Sequence, residues 1–320
     1  MSQTKPNQST ARRQFCGLVV LILSGLVLVA SAQRPPRRHR AVGTRALDLV
    51  PARQELSANS RHSIEEVRGR RQVLSNGIPN HAVGRFPNGG NPHVIREQRY
   101  RFTLPAAPEP AAMTTSINLA GRRGPPNVPF GVAVNGVLID PGTAEFWNGD
   151  RRGGWNYEAL GGAVPLGLDE NFAHVQPNGG YHYHGLPTML LEQLGLSSDN
   201  HSPQIGWAAD GFPIYARYGY KDPDDPRSGI VELEPSFRLK KGNRPGGARG
   251  PGGQYDGTFT KDYEFVEGTG DLDDCNGRPC ATPEFPEGIY AYFLTKKWPV
   301  IPRAFRGTPV NLRGPPRRPR

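Results

Sequence analysis

The segment Gly180-Tyr181-His182-Tyr183-His184-Gly185 constrains this chain more than any other. In an extended strand, residues i and i+2 point to the same face, about 6.5–7 Å apart. His182 and His184 then project together, with Tyr181 and Tyr183 on the opposite face. Imidazoles so placed can converge on one cation, at zinc–nitrogen distances of about 2.0–2.1 Å. The plainer reading is two histidines that only hydrogen-bond on a half-buried strand. Half of the chain's eight histidines fall between positions 174 and 201, and that clustering favours a shared metal ion.

Two ligands do not complete a site. His174 lies upstream across Pro177-Asn178-Gly179-Gly180, a turn able to fold it back as a hairpin partner. His201 follows a short helical run, Pro187–Leu194, that carries Met189, Leu190, Leu191 and Leu194. Asp210, in Trp207-Ala208-Ala209-Asp210-Gly211, is either an oxygen ligand or outer partner, or the cap of an Asp-Gly turn. The expected ligands are therefore His182, His184, His174, His201 and Asp210, in that order, and imidazole suits zinc or copper. A second candidate is Asp271, Asp273 and Asp274 beside Asn276, where clustered carboxylates suit calcium. That stretch lacks the late glutamate of an EF-hand loop, so a solvated acidic turn is the simpler reading.

The rest of the chain reads as short strands between turns. Gln98–Leu104 places Tyr100, Phe102 and Leu104 on one face, and Asn135-Gly136 between apolar runs predicts a type I′ hairpin over Gly131–Ile139. Thr258–Val266 and Ile289–Leu294 are further strands. With 40 glycines and 33 prolines, Lys240–Gly253 is a long loop and helix content is low. These features predict a mainly β fold: a sandwich or barrel-like single domain with long Gly/Pro-rich loops and one or two short helices. Glu287–Thr295 echoes the histidine strand, aromatic-x-aromatic after a glycine, with Ala291 and Phe293 where histidines would stand.

The ends differ from the middle. Lys5, Arg12 and Arg13, the apolar run Phe15–Val29 and Ala30-Ser31-Ala32 predict an export signal over residues 1–32. The apolar run is short for a bilayer span, which makes a retained membrane anchor the lesser expectation. Residues 33–72 read as a disordered basic linker, with a short helix near Ser63–Arg70, and 313–320 as a disordered basic tail. The domain is then 73–312. Residues 1–72 hold 13 Lys/Arg against 4 Asp/Glu and the tail adds 4 Arg, so the remainder is mildly acidic and does not suit nucleic acid. An oxidising compartment favours a disulfide between Cys275 and Cys280.

No G-x-S-x-G elbow, Walker loop, G-x-G-x-x-G or H-E-x-x-H is present. The tetrad Tyr181–His184 stands in order with Gly142–Gly149 (GTAEFWNG), His174–Gly179 (HVQPNG), Gly206–Tyr215 (GWAADGFPIY) and Asp271–Arg278 (DLDDCNGR). In these blocks the chain resembles the YHYH-domain family. The resemblance implies an exported protein and carries no settled activity. The expected function is an exported metal-binding protein. An open coordination position would make the metal a catalyst, and a closed one would make it structural. The alternative is a non-catalytic module for a small-molecule or envelope polysaccharide ligand, using Trp147, Trp155, Tyr157, Trp207 and Tyr255. Membrane contact is expected only if the signal segment is retained.

Overall fold

Alternation of apolar and polar residues decides the first sheet. In the computed structural model, which describes residues 39–118 and 127–313, β3 (Tyr100–Pro105) buries Phe102 and Leu104. It pairs antiparallel with β2 (Arg70–Ser75), which buries Arg71, Val73 and Ser75 and pairs in turn with β1 (His62–Val67). The expected linker over 33–72, with its helix near Ser63–Arg70, is corrected here for residues 39–72. β1 has no buried stripe to read in its sequence, and its ladder to β2 holds it as a strand. Upstream of it, Val50 N bonds Leu168 O, Gln54 exchanges backbone bonds with Val83, and Ala52 N bonds the Glu170 carboxylate. The expected signal peptide, and the tail beyond Arg313, lie outside the described residues.

The main sheet has eight strands: β5 (Gly131–Ala133), β6 (Leu138–Ile139), β7 (Ala173–Val175), β8 (Tyr181–Tyr183), β9 (Gly206–Ala208), β10 (Pro213–Ala216), β15 (Gly277–Cys280) and β16 (Ile289–Leu294). Their order across the sheet is β15-β16-β10-β9-β5-β6-β8-β7. From either edge inward the pairing runs antiparallel, parallel, antiparallel, and the two halves meet at the antiparallel pair β5–β9. At that seam a Cβ on Gly131 would lie 2.5 Å from the Trp207 carbonyl oxygen, and one on Gly206 2.5 Å from that of Val132. Only glycine allows the strands this approach.

Smaller ribbons pair β4 (Thr115–Ser116) with β17 (Ala304–Phe305), β11 (Tyr218–Tyr220) with β12 (Ile230–Glu232), and β13 (Phe237–Leu239) with β14 (Tyr263–Phe265). Among the described residues the one α-helix is α1 (Thr188–Gln193), docked through Leu190 and Leu191. The described residues form a mainly β, single domain, and among them the sheets do not close into a barrel.

Two local expectations change. Between Ala133 and Val137, joined by an Ala133 N to Val137 O bond, the turn has three residues, Val134-Asn135-Gly136, and only Gly136 takes positive φ (77°), which replaces the type I′ turn with a glycine-bulge turn. Asn135 instead donates its side-chain amide to the Tyr183 and Asn80 side chains. Cys275 and Cys280 are free thiols. Cys275 packs in the main core with Tyr290 and Tyr292, and Cys280 in a separate cluster with Tyr215, Ala291 and Phe293.

Candidate metal centre

A single hairpin brings three histidines together. Gln176 N bonds Gly180 O, Gly179 N bonds Gln176 O, and Gly179 takes φ 89°, so the chain reverses and β7 lies antiparallel on β8. The register sets His174 opposite His182. His184 N continues the ladder by bonding Phe172 O at 2.7 Å. The three rings form a nearly equilateral triangle, with centroids 4.7, 4.6 and 4.6 Å apart. One ring nitrogen from each lies within 4.8 Å of the others.

The opposite face of β8 is anchored in the core. Tyr181 donates to the Asp169 carboxylate at 2.7 Å. The Tyr183 hydroxyl meets His81 Nε2 at 2.6 Å and accepts from Asn135 at 2.9 Å. Both tyrosines are fully buried, so the strand cannot rotate its histidines away without breaking these bonds.

Outer hydrogen bonds aim the imidazoles. His174 Nδ1 bonds Leu166 O at 2.9 Å and His182 Nδ1 bonds Gly180 O at 3.2 Å. A carbonyl accepts only, so these bonds put the proton on Nδ1 and leave the Nε2 lone pair free. His184 Nε2 lies 3.1 Å from His174 Nε2. Burial pushes His174 down to about 3 and His182 down to about 4, with the His182 charge adding at His174 and the Gly180 carbonyl opposing at His182. Burial, then the neighbouring His174 and His182, pushes His184 well below the usual range. All three are neutral imidazoles at neutral pH, the form that ligates metals.

The sign of the resulting pH dependence follows from linkage. An unfolded imidazole takes up a proton near pH 6.5, and buried His182 refuses it until about pH 4. Its contribution to stability is therefore full above about 6.5 and is lost as the pH falls toward about 4. Relative to a His182→Asn variant, the metal-free protein is expected to lose on the order of 3 kcal/mol between pH 7 and pH 4. Urea midpoints at the two pH values check this, and equal losses in both proteins would overturn it.

Asp140 is the site residue that sequence reasoning missed. It follows β6, whose parallel pairing with β8 sets Asp140 N on Tyr183 O at 2.8 Å. Its carboxylate, 2 % exposed, accepts from Arg313 at 3.1 Å and Gln176 at 3.5 Å, while Oδ1 makes no full hydrogen bond. Burial raises its pKa, and Arg313 opposes that shift. In sequence, Asp140-Pro141-Gly142 reads as an ordinary turn. The readable signal is its place directly after a strand of the Gly131–Ile139 hairpin. Asp140 and the three histidines line a cleft of about 660 Å³ whose rim includes His93, Glu145 and Arg313.

The other expected ligands stand elsewhere. His201 packs against Tyr220, Tyr215 and Phe293 in the other half of the sheet, with Nδ1 on Ser202 O. Asp210 sits in the β9–β10 turn and accepts from the Tyr292 hydroxyl and from Gly307 N. Neither reaches the triad, because β5 and β6 separate β8 from β9. Asp273 accepts from Cys275 N, Gly277 N and Tyr290, and Asp271 from Glu234 N. Although Asp273, Asp274 and Cys275 cluster, these bonds describe a turn cap. Of the aromatics considered for a glycan, Trp155 and Tyr157 are buried against Phe259, and Trp207 stacks on Arg71.

The fold and site define a class: an open β-sheet domain with a three-histidine cradle on one edge hairpin. The family model described as YHYH protein matches residues 101–307. The chain belongs to the YHYH family, and the tyrosine–histidine tetrad at 181–184 lies within the matched region. Neither a curated protein nor a solved structure matches the chain.

Proposed function

We propose that this chain is an exported metal-binding protein in which His174, His182 and His184 hold one zinc or copper ion through their Nε2 atoms. The reading rests on the contact between His184 Nε2 and His174 Nε2. His174 already spends its proton on Leu166 O. Without an ion, His184 must carry its proton on Nε2, which leaves Nδ1 a buried acceptor with no partner. A cation shared by the Nε2 atoms would remove that cost, because His184 would then carry its proton on Nδ1 as a donor. The 3.1 Å separation is also close to the roughly 3.3 Å edge of a tetrahedral set of zinc–nitrogen bonds.

His174, His182 and His184 would hold the ion, and the cleft lined by Asp140 would give a small molecule or water access to it. A zinc ion held this way would supply Lewis acidity. Asp140 is placed to accept a proton or hold a polar ligand, and Arg313 offers a positive charge at the rim. Export rests on the signal-like residues 1–32. Among the described residues no helix is long and apolar enough to cross a membrane. The test is elemental analysis after reconstitution, beside a His182→Ala/His184→Ala variant. One equivalent of zinc or copper in the wild type, absent from the variant, is the expected result. A wild type without metal would overturn the reading and direct work to glycan binding.

A further inference from the structure

The two halves of the main sheet share more than strand order. Gly131-Val132-Ala133-Val134-Asn135-Gly136 and Gly206-Trp207-Ala208-Ala209-Asp210-Gly211 fold into the same hairpin. Ala133 N bonds Val137 O and Gly136 N bonds Ala133 O; Ala208 N bonds Phe212 O and Gly211 N bonds Ala208 O. The second hairpins correspond equally closely. Asp169 accepts from the backbone of Asn171 and Ala173 and from the Tyr181 hydroxyl. Asp273 accepts from the backbone of Cys275 and Gly277 and from the Tyr290 hydroxyl. Phe172 and Asn276 both take positive φ, 51° and 55°, and their carbonyls accept from His184 N and Phe293 N. Tyr183 bonds Asn135, and Tyr292 bonds Asp210, each in the loop of its own half. Ile139 pairs with Tyr183 as Ile214 pairs with Tyr292, and His174 with His182 as Arg278 with Ala291.

We infer that the sheet is a tandem repeat of one four-stranded unit, and that the second unit holds a latent metal cradle in which Arg278, Ala291 and Phe293 replace His174, His182 and His184. The tyrosine clamps occur in both units and belong to the frame; the histidines occur in one and carry the metal chemistry. The second cradle is filled: the Arg278 guanidinium lies 5.8 Å from the Phe293 ring centre, and Tyr215, in the position of Asp140, packs on the same ring. His201, 7 % exposed and with no partner for Nε2, also packs against Tyr215 and Phe293. An unspent imidazole nitrogen therefore already borders the pocket.

This inference rests on the metal reading above but is tested apart from it. In the full chain, Arg278→His/Ala291→His/Phe293→His is expected to raise bound zinc by one equivalent over the wild type, read by elemental analysis after zinc titration. A folded variant with no added zinc would overturn the latent cradle. The reverse exchange, His174→Arg/His182→Ala/His184→Phe, is expected to fold with an unfolding midpoint no lower than that of metal-free wild type and to bind no zinc. This second variant decides the matter if the first fails to fold, since its own collapse would show that the two positions are not interchangeable. If the wild type binds none and the forward variant binds one, the metal reading falls and the repeat stands.

Discussion

His174→Ala is expected to weaken zinc binding by more than the roughly 10- to 100-fold that loss of an outer partner costs, because it removes a direct ligand. His201→Ala is expected to leave the affinity unchanged. The contrast separates the triad from a looser histidine cluster, since both side chains are largely buried and both were plausible ligands by sequence. Competition against a chromogenic chelator measures the affinities. A thermal shift gives a second readout: at a free metal concentration 100 times Kd, binding adds about 2.7 kcal/mol to stability. That stabilisation should vanish in His174→Ala and persist in His201→Ala. Equal losses in the two variants would place the ion elsewhere.

Arg244→Met is expected to cost about 3–5 kcal/mol, the usual cost of stranding one member of a buried ion pair. The Arg244 guanidinium is 1 % exposed and bonds Asp262, itself fully buried, at 2.6 Å, with Asp256 as a second partner. Asp262 also accepts from Gly257 N and Phe259 N, so the pair fixes the loop beneath the Trp155–Phe259 cluster. Removing the cation leaves a buried carboxylate without its counter-charge, a burial the loop can relieve only by opening to water. Urea denaturation at pH 7 tests this, and a change below about 1 kcal/mol would mean the pair lies in a locally solvated region.

How far the sequence could be read depended on the range of each signal. The Tyr181–His184 alternation, the turn at Pro177–Gly180 and the glycine in Asn135-Gly136 are local, and they led to β8, to the partner His174 and to the β5–β6 hairpin. β1 was hidden because a polar strand leaves no stripe, and its hold comes from the neighbouring β2. Asp140 was hidden because its role depends on a parallel pairing across more than forty residues of chain. His201 and Asp210 were close in sequence to the ligands yet fall in the other half, and no local pattern records that crossing. The repeat left an aromatic echo in β16 and a short Gly-x-Ala-x-Asn/Asp-Gly match between 131–136 and 206–211, because most of its hydrogen bonds are carried by backbone and by Asp–Tyr pairs scattered between loops.

The glycine seam at Gly131 and Gly206 has a consequence for how the protein breathes. Backbones that approach this closely across the β5–β9 pair leave no room there for side chains to slide or be exchanged, so the two halves are expected to open together. Amide protons in β8 and in β16, each one strand in from opposite edges of the sheet, should then exchange with solvent through one shared opening event. A ligand gripping only the histidine edge would slow exchange across the whole sheet, including strands it never approaches.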